Sequence, residues 1–270
     1  MHFIELLPTA WVWVVIVLVM LSSCELGYQL GYLGFRNKEE GDGSSSLGPM
    51  VGGLLGMLGF VLAFSFSMAA GQHQTRKENV LLEANVIGTA YLRTDLLPEA
   101  AAGEVRDLLR RYVETRLRAA EDKVVFGEEM EAIQRSSVVI HEALWHQVVS
   151  VAKQESSPTV ALMVQATNEL IDMHEQRATG SYYNRIPTSV WIALLVICAL
   201  TMMTLGTQVG MTGRRRLSAV VPLSLAFSLL VTLIVDLDRP QRGLIQVDQH
   251  AMYNLYEGMG GDLEALISTQ

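Results

Sequence analysis

The chain has 270 residues, of which half are hydrophobic and 18% are charged, and its formal net charge is −8. This composition is typical of an integral membrane protein with one moderate soluble part. The acidic balance disfavours a nucleic-acid-binding protein, which would present a basic face. Both cysteines lie in apolar segments and make no CxxC pair, so the sequence predicts neither a disulfide framework nor a zinc site.

The first apolar segment covers residues 8–34 and contains WVWVVIVLVMLSSC, an uncharged stretch that ends at Cys24. The letters LSSC resemble a bacterial lipoprotein cleavage site. However, residues 1–10 contain no Lys or Arg, so the positive region that opens a signal peptide is missing. We therefore interpret residues 8–34 as an uncleaved transmembrane helix, followed by a polar linker over residues 35–47.

The second apolar segment, GPMVGGLLGMLGFVLAFSFSMAA at residues 48–70, is uncharged and long enough to span a bilayer. Its glycines recur three or four residues apart, which places them near one face of a helix. Small residues let helices approach closely in lipid. The sequence therefore predicts helix packing through Gly48, Gly52, Gly56 and Gly59.

This second span is predicted to continue into a polar helix. The following residues, GQHQTRKENVLLEANVIGTAYLRTDLL, are charged but compatible with a helix. No proline falls between Pro49 and Pro98, so nothing forces the helix to stop at the membrane surface.

Further helices are predicted after Pro98. The first carries an apolar face at helical spacing, made of Val105, Leu108, Leu109, Tyr112, Val113 and Leu117. The next covers residues 127–154, with inward candidates Val138, Ala143, Leu144, Val148 and Val151. A third begins at Ser157-Pro158, a plausible cap followed by proline, and ends near Gly180. No alternating strand pattern of useful length occurs, so this region is predicted to be a helical bundle.

Two more apolar segments, residues 187–211 and 217–235, are joined by a short basic turn that permits only an antiparallel hairpin. The predicted fold class is an all-α integral membrane protein with four transmembrane helices and a helical soluble domain between the second and third. The predicted divisions are residues 8–34, 35–47, 48–70, 71–186 (the soluble domain), 187–211, 212–216, 217–235 and 236–270 (the tail).

The numbers of charges near the span ends do not decide the orientation of the chain in the membrane. Lys and Arg near span ends set orientation. One side carries five such charges (Arg36, Lys38, Arg214, Arg215, Arg216), and the other carries six (Arg76, Lys77, Arg177, Arg185, Arg239, Arg242).

The sequence offers little catalytic chemistry. HEALWH, at residues 141–146, resembles a zinc-peptidase helix, but its histidines are five apart rather than the four that one metal requires. We expect His141 and His146 to face solvent or pack between helices, and the same holds for His73 and His174. Phosphate-binding, GxSxG and dinucleotide motifs are missing. We therefore expect no enzymatic activity, no cofactor and no metal centre.

No Asp, Glu, Lys or Arg lies in the middle of any span. Proton-coupled pumps usually carry such groups, whereas a passive pore can gate through an apolar constriction. Asp236 and Asp238, just after the last span, could contact a cation through carboxylate oxygens. Two carboxylates alone make a weak site, and solvated flanking charge or pairing with Arg239 is their ordinary role.

Two segments carry a family resemblance: GFVLAFSFSMAAGQHQTRKENVLLEANVIGTAYLRTDLLPE, from residue 59, and DLDRPQRG in the tail. They resemble an uncharacterised bacterial family described as bestrophin-like, over nearly the whole chain. Bestrophins are a more distant relative, with a comparable order of spans and a similar crossover from the second span into polar helix.

The resemblance implies a pentamer around one anion-conducting axis, with a neck of apolar second-span side chains one turn apart. By position the neck candidates are Phe60 and Phe64, with Gly56 or Met68 one turn further on. It also implies a bacterial cytoplasmic membrane, with the soluble domain and both termini cytoplasmic. The segment around Asp236 and Asp238 departs from the bestrophin calcium-binding segment, because Gln241-Arg242-Gly243 follows Pro240 here.

Three functions are compatible with these features of the sequence. The first is an oligomeric, anion-preferring channel lined by the second span, with the lipid bilayer, further copies of the chain and a permeant anion as its partners. The second is a non-conducting membrane scaffold or sensor whose helical domain binds partner proteins. The third is a four-span stator that couples ion flow to motion, which the missing intramembrane carboxylate disfavours.

Overall fold

A computed structural model of the chain describes residues 8–36, 47–121, 128–155, 157–182, 185–213, 215–239 and 243–268. Within these ranges the chain is helical and contains no strand. The helices are α1 (Thr9–Arg36), α2 (Leu47–Arg93), α3 (Glu99–Glu121), α4 (Glu128–Gln154), α5 (Pro158–Tyr182), α6 (Thr188–Gly210), α7 (Leu217–Asp238), α8 (His250–Gly258) and α9 (Leu263–Ser268), with a 3₁₀ turn at Thr94–Leu96.

Four of these helices, α1, α2, α6 and α7, are long and apolar enough to cross a membrane. The predicted fold class is confirmed, including the continuation of the second span into polar helix, because α2 runs unbroken from Leu47 to Arg93. Most of the predicted polar linker, residues 37–46, lies outside the described residues, as does Arg214 of the predicted basic turn.

The chain divides into two compact units. The membrane unit consists of Met1–Gly71, Arg185–Arg239 and Gly243–Ile245. The helical unit consists of Gln72–Asn184, Pro240–Arg242 and Gln246–Gln270. Each unit has its own apolar cluster of buried side chains.

In the membrane unit, α1 packs on α6 through glycines that the sequence analysis did not single out. Gly27 and Gly31 lie against the backbone of Met203 and Thr207, while Gly206 and Gly210 lie against the backbone of α1. The contacts advance together along both helices, so α1 and α6 run parallel, as the first and third spans of an alternating topology must. A methyl group at any of these four glycines would overlap the backbone of the facing helix.

Helix α7 lies antiparallel to α1. Ser228 contacts the sulfur of Met20 at 3.3 Å near the middle of both helices. At one end Thr9 donates to Asp236 at 2.9 Å, and at the other Arg215 pairs with Glu25 at 3.0 Å. Contacts from end to end thus fix the register of these two spans.

In the helical unit, α3 buries the face that its periodicity predicts. All six predicted positions, from Val105 to Leu117, are buried and belong to the core, together with side chains of α2, α4, α5 and α8. On α4, Leu144, Val148 and Val151 are buried and Ala143 packs against them. The prediction for Val138 is wrong, because its side chain is 44% exposed while Ser137 takes the inward position.

The glycine contacts predict the outcome of two matched alanine substitutions in α1. Gly27→Ala is expected to destabilise the membrane unit by about 2 kcal/mol or more, because overpacking against a rigid backbone typically costs 1–3 kcal/mol. Gly34→Ala, in the same helix with open space around it, is expected to be neutral or slightly stabilising. Thermal unfolding of the purified protein in detergent measures both. Equal midpoints for the two variants would contradict the close approach of α1 and α6.

Candidate functional site

The apolar part of α2 packs on its own chain through one narrow stripe. Its buried side chains recur at helical spacing: Val51, Leu58, Leu62, Ser65 and Ala69. The rest of this part of the helix is exposed or only half-buried within the single chain.

Two of the predicted neck residues lie opposite this stripe. Phe60 is two residues from both Leu58 and Leu62, which is about 200° around the helix from each. The side chains of Phe60 and Phe64 are accordingly 73% and 54% exposed. Gly56 is also exposed, whereas Met68 is half-buried and packs against the apolar cluster of the membrane unit. The described residues of one chain therefore leave an uncharged aromatic face open on α2.

The predicted packing glycines of α2 meet little of their own chain. A methyl group at Gly52, Gly56 or Gly59 would have no atom within 4 Å, and one at Gly48 would meet only the side chain of Gln208, at 3.5 Å. Among the described residues, no other helix of the same chain lies close to Gly52, Gly56 or Gly59. Their role in helix packing stays a prediction.

The two acids in the last turn of α7 accept hydrogen bonds. Asp236 accepts from the backbone N–H of Leu244 at 2.9 Å and of Ile245 at 2.9 Å, besides the Thr9 hydroxyl. Gly243, with φ +152°, brings this backbone so close that a methyl group there would lie 2.6 Å from the Asp236 carboxylate. Asp238 accepts from the backbone N–H of Ile186 at 3.0 Å.

These hydrogen bonds engage both carboxylates. Among the described residues, no group of three or more His, Cys, Asp or Glu side chains is arranged to hold one. Cation contact at Asp236 and Asp238 stays a prediction.

A cluster of buried charges that was not predicted from the sequence lies in the core of the helical unit. Glu83 of α2 is fully buried. It pairs with Arg177 of α5, and its other oxygen lies 3.5 Å from Nε of Arg116 on α3. The Tyr112 hydroxyl donates to the same carboxylate at 2.6 Å. Three helices are thus joined through one carboxylate.

Two histidines border this cluster, which we call the Glu83 cluster. Nδ1 of His174 lies 2.9 Å from the Tyr112 hydroxyl, and its Nε2 lies 3.1 Å from the side-chain amide of Gln134. The rings of His141 and His174 meet edge to face, with centroids 4.7 Å apart. His141 and His174 therefore pack between helices and His146 is exposed, which are the two alternatives that the sequence left open for the histidines.

Burial and charge set the protonation states in the Glu83 cluster. Burial by itself raises the pKa of Glu83, but the charges of Arg177 and Arg116 outweigh it and lower that pKa to about 2. Burial lowers the pKa of His141 to about 4 and, together with the Arg116 charge, the pKa of His174 to about 3. At neutral pH the cluster therefore holds an ionised carboxylate, two guanidinium groups and two neutral imidazoles.

A sequence signal for the Glu83 cluster does exist. Glu83 lies three residues after Val80 and four before Ile87, which puts it on the buried stripe of its helix. Arg116 lies four residues after Tyr112, and His174 four after Leu170, on equally buried faces. Charged or titratable residues at core positions of an amphipathic helix indicate buried partners, because unpaired buried charges are too costly.

Removing the buried carboxylate tests the Glu83 cluster. Glu83→Gln is expected to destabilise the helical unit by about 3–5 kcal/mol, since two guanidinium groups would remain buried without their anion. Glu131→Gln is the matched control, because Glu131 is exposed and pairs with Arg135 four residues on in the same helix. Such pairs contribute about 0.5 kcal/mol or less. Thermal unfolding and amide hydrogen exchange in α3 and α5 measure both. Similar losses in the two variants would contradict the role given to Glu83.

The histidines predict acid lability. Their folded pKa values lie below the ordinary 6.5, so the unfolded chain binds protons that the folded chain rejects. The two histidines therefore cost the folded state nothing above about pH 6.5. Below that pH the free energy of unfolding falls, down to about pH 4 for His141 and about pH 3 for His174. The loss is up to about 1.4 kcal/mol per pH unit for each histidine. Glu83 adds to the loss below pH 4.5, since its pKa is lowered from there to about 2.

Unfolding midpoints measured from about pH 8 to pH 5 check this prediction. His174→Gln is expected to flatten the pH dependence, while the exposed control His146→Gln is expected to leave it unchanged. A midpoint that stays constant down to pH 5 would contradict the neutral state of the two buried imidazoles.

Comparison with known proteins places the chain in a family. The bestrophin-like domain family matches residues 36–252. No curated protein matches the chain significantly.

Three solved structures share the fold. One, described as a membrane protein, superposes with a TM-score of 0.60 at 17% identity, covering 94% of this chain and 99% of its own. Two variants of a bacterial bestrophin homologue from Klebsiella pneumoniae superpose with TM-scores of 0.55, at 17% and 18% identity. They cover 93% and 94% of this chain and 97% and 99% of their own. The family match covers most of the sequence and the fold match covers nearly all of it, and the chain therefore belongs to the bestrophin-like family.

Proposed function

We propose that the chain is one subunit of a homo-oligomeric, bestrophin-like ion channel in a bacterial cytoplasmic membrane. The second span lines the pore, Phe60 and Phe64 form an apolar neck, and anions are preferred. Five subunits and the anion preference follow the family resemblance. In this proposal residues 71–186 form a soluble domain on the cytoplasmic side.

The observation that carries this proposal is the open aromatic face of α2. An uncharged span whose aromatic side chains point away from its own bundle needs either lipid or another copy of the chain to cover it. Gly52, Gly56 and Gly59, with open space around them, would let a neighbouring span approach closely. Copies arranged around an axis would then bring their Phe60 and Phe64 side chains together.

The chemistry of such a neck is a hydrophobic gate. A narrow ring of aromatic side chains sheds water and so raises the barrier to a hydrated ion without binding it. Truncating the ring widens it and lowers that barrier. A passive mechanism also agrees with spans that carry no charge at their centres.

A second candidate is a non-conducting scaffold or sensor whose helical unit binds partner proteins. The observation that favours it is the exposure of large apolar side chains on this unit, including Leu92 and Val139. Such residues mark contact surfaces when they are clustered. The same residues would also suit contacts between copies of the chain. The mass of the assembly therefore distinguishes a homo-oligomeric channel from a scaffold or sensor.

Ion flux through liposomes that contain the purified protein tests the channel. Phe60→Ala and Phe64→Ala are expected to raise chloride efflux by about tenfold, which corresponds to a barrier about 1.4 kcal/mol lower. Phe66→Ala is the matched control, because Phe66 lies on the same helix about 200° from Phe64 and is expected to leave flux unchanged.

Light scattering of the same preparations gives the number of copies. Unchanged flux in both neck variants of a conducting oligomer would reject the neck assignment. Absence of flux from a folded monomer would reject the channel and favour the scaffold. Reversal potentials in a chloride gradient would reject the anion preference if they followed the cation.

A further inference from the structure

A groove of about 230 Å³ lies in the membrane unit, between α1, α6 and α7. Along the three spans its walls are apolar, and they include Val15, Val19 and Leu195. These three side chains are themselves partly exposed within the chain, so the groove is open along one side. None of the residues proposed for the neck lines it.

One end of the groove is charged. Arg185 precedes the start of α6, while Asp238 and Arg239 close the end of α7, so the charged end lies where these two spans meet the membrane surface. From there the groove follows α1 from Val12 to Met20, eight residues or about 12 Å. That depth is most of one leaflet, since the hydrocarbon core of a bilayer is about 30 Å thick.

The charge at this end favours an anion. Two guanidinium groups and one carboxylate line the groove. Oδ1 of that carboxylate, Asp238, accepts the backbone N–H of Ile186, and the Asp238 charge also attracts Arg185. Arg239 donates to the Thr9 hydroxyl at 3.3 Å. One positive charge of the two guanidinium groups is left over. The neighbouring Asp236 does not line the groove, and its oxygens accept from Leu244, Ile245 and Thr9. Guanidinium groups match the geometry of phosphate oxygens, and basic pockets between spans bind anionic lipid headgroups.

We propose that this groove binds an anionic phospholipid, with one acyl chain between α1, α6 and α7 and the phosphate against Arg185 and Arg239. The apolar walls match an acyl chain in polarity, and the charged end lies at the depth of a headgroup. This site is separate from the proposed neck and does not depend on ion conduction.

Lipid binding to the delipidated protein, measured by native mass spectrometry in detergent, tests the proposal. Phosphatidylglycerol and phosphatidylcholine with identical acyl chains are the probes. Both lipids carry a phosphate, but the quaternary ammonium of phosphatidylcholine cancels its charge and is repelled by the two guanidinium groups. Phosphatidylglycerol is therefore expected to bind about tenfold more tightly. Glycerol phosphate, which has no acyl chain, is expected not to compete.

Two pairs of variants distinguish the contribution of the lipid headgroup to binding from that of the acyl chain. Arg185→Gln is expected to remove the preference for phosphatidylglycerol. Its control, Arg215→Gln, changes an arginine at the opposite end of the α1–α7 pair and is expected to keep the preference. Leu195→Trp fills the groove and is expected to weaken the binding of both lipids. Its control, Leu229→Trp, lies on an exposed part of α7 outside the groove.

Circular dichroism and gel filtration confirm that each variant is folded before lipid is added. Equal affinity for both lipids, or equal losses in Arg185→Gln and Arg215→Gln, would overturn the proposal in favour of non-specific attraction. Competition by glycerol phosphate would overturn the role of the acyl chain. A change of oligomer mass in Leu195→Trp, with lipid binding retained, would show that a second copy of the chain covers the groove.

Discussion

The close contact between α1 and α6 is the constraint on which the membrane unit depends. In lipid, burying apolar surface gives helices no net drive to associate, so contact must come from close packing. The glycines at positions 27, 31, 206 and 210 supply it by bringing two backbones together. With α7 fixed along α1, these three spans form the packed part of the unit. Helix α2 joins it by one stripe and keeps its aromatic face open.

The helical unit is stabilised by different forces. Its core contains apolar side chains from α2 to α5 and from α8, whose removal from water drives folding. Into this core the chain places one carboxylate, two guanidinium groups, a phenol and two imidazoles. Each buried charge there has an opposite charge beside it, and this pairing makes the arrangement tolerable. Such a cluster tolerates few alternative packings, because any shift of α3 or α5 would separate an arginine from Glu83.

Much of the helical architecture could be predicted from the sequence because it depends on local information. Apolar length predicts the four spans, the missing prolines predict the unbroken α2, and periodicity predicts the buried face of α3. The failures depend on tertiary contacts. The glycines in the apolar part of α2 are as regular as those of α1 and α6. Among the described residues, however, it is the glycines of α1 and α6 that lie against the backbone of another helix. Spacing shows which residues share a face but not which helix lies against it.

The candidate site divides in the same way. Phe60 and Phe64 could be selected from helical spacing and the family resemblance. They are exposed within the chain because they lie opposite the buried stripe of α2. The Glu83 cluster could not be assembled from sequence, since Glu83 and Arg177 are 94 residues apart. His141 and His174 lie on different helices, so sequence spacing could not bring their rings together. Their partner in each case is a residue on another helix.

The bond between Thr9 and Asp236 joins residues separated by 227 positions. At about 5–20 residues per second, a ribosome needs roughly ten to forty-five seconds to make the chain between them. During that time α1 resides in the bilayer before α6 and α7 exist. The backbone hydrogen bonds of α1 are made within the helix itself, so α1 is stable in the bilayer without other helices. The membrane unit therefore completes its assembly only when the last span has been synthesised. A chain truncated before α7 would keep the glycine contacts between α1 and α6 but lose the contacts that α7 makes with Thr9 and Met20.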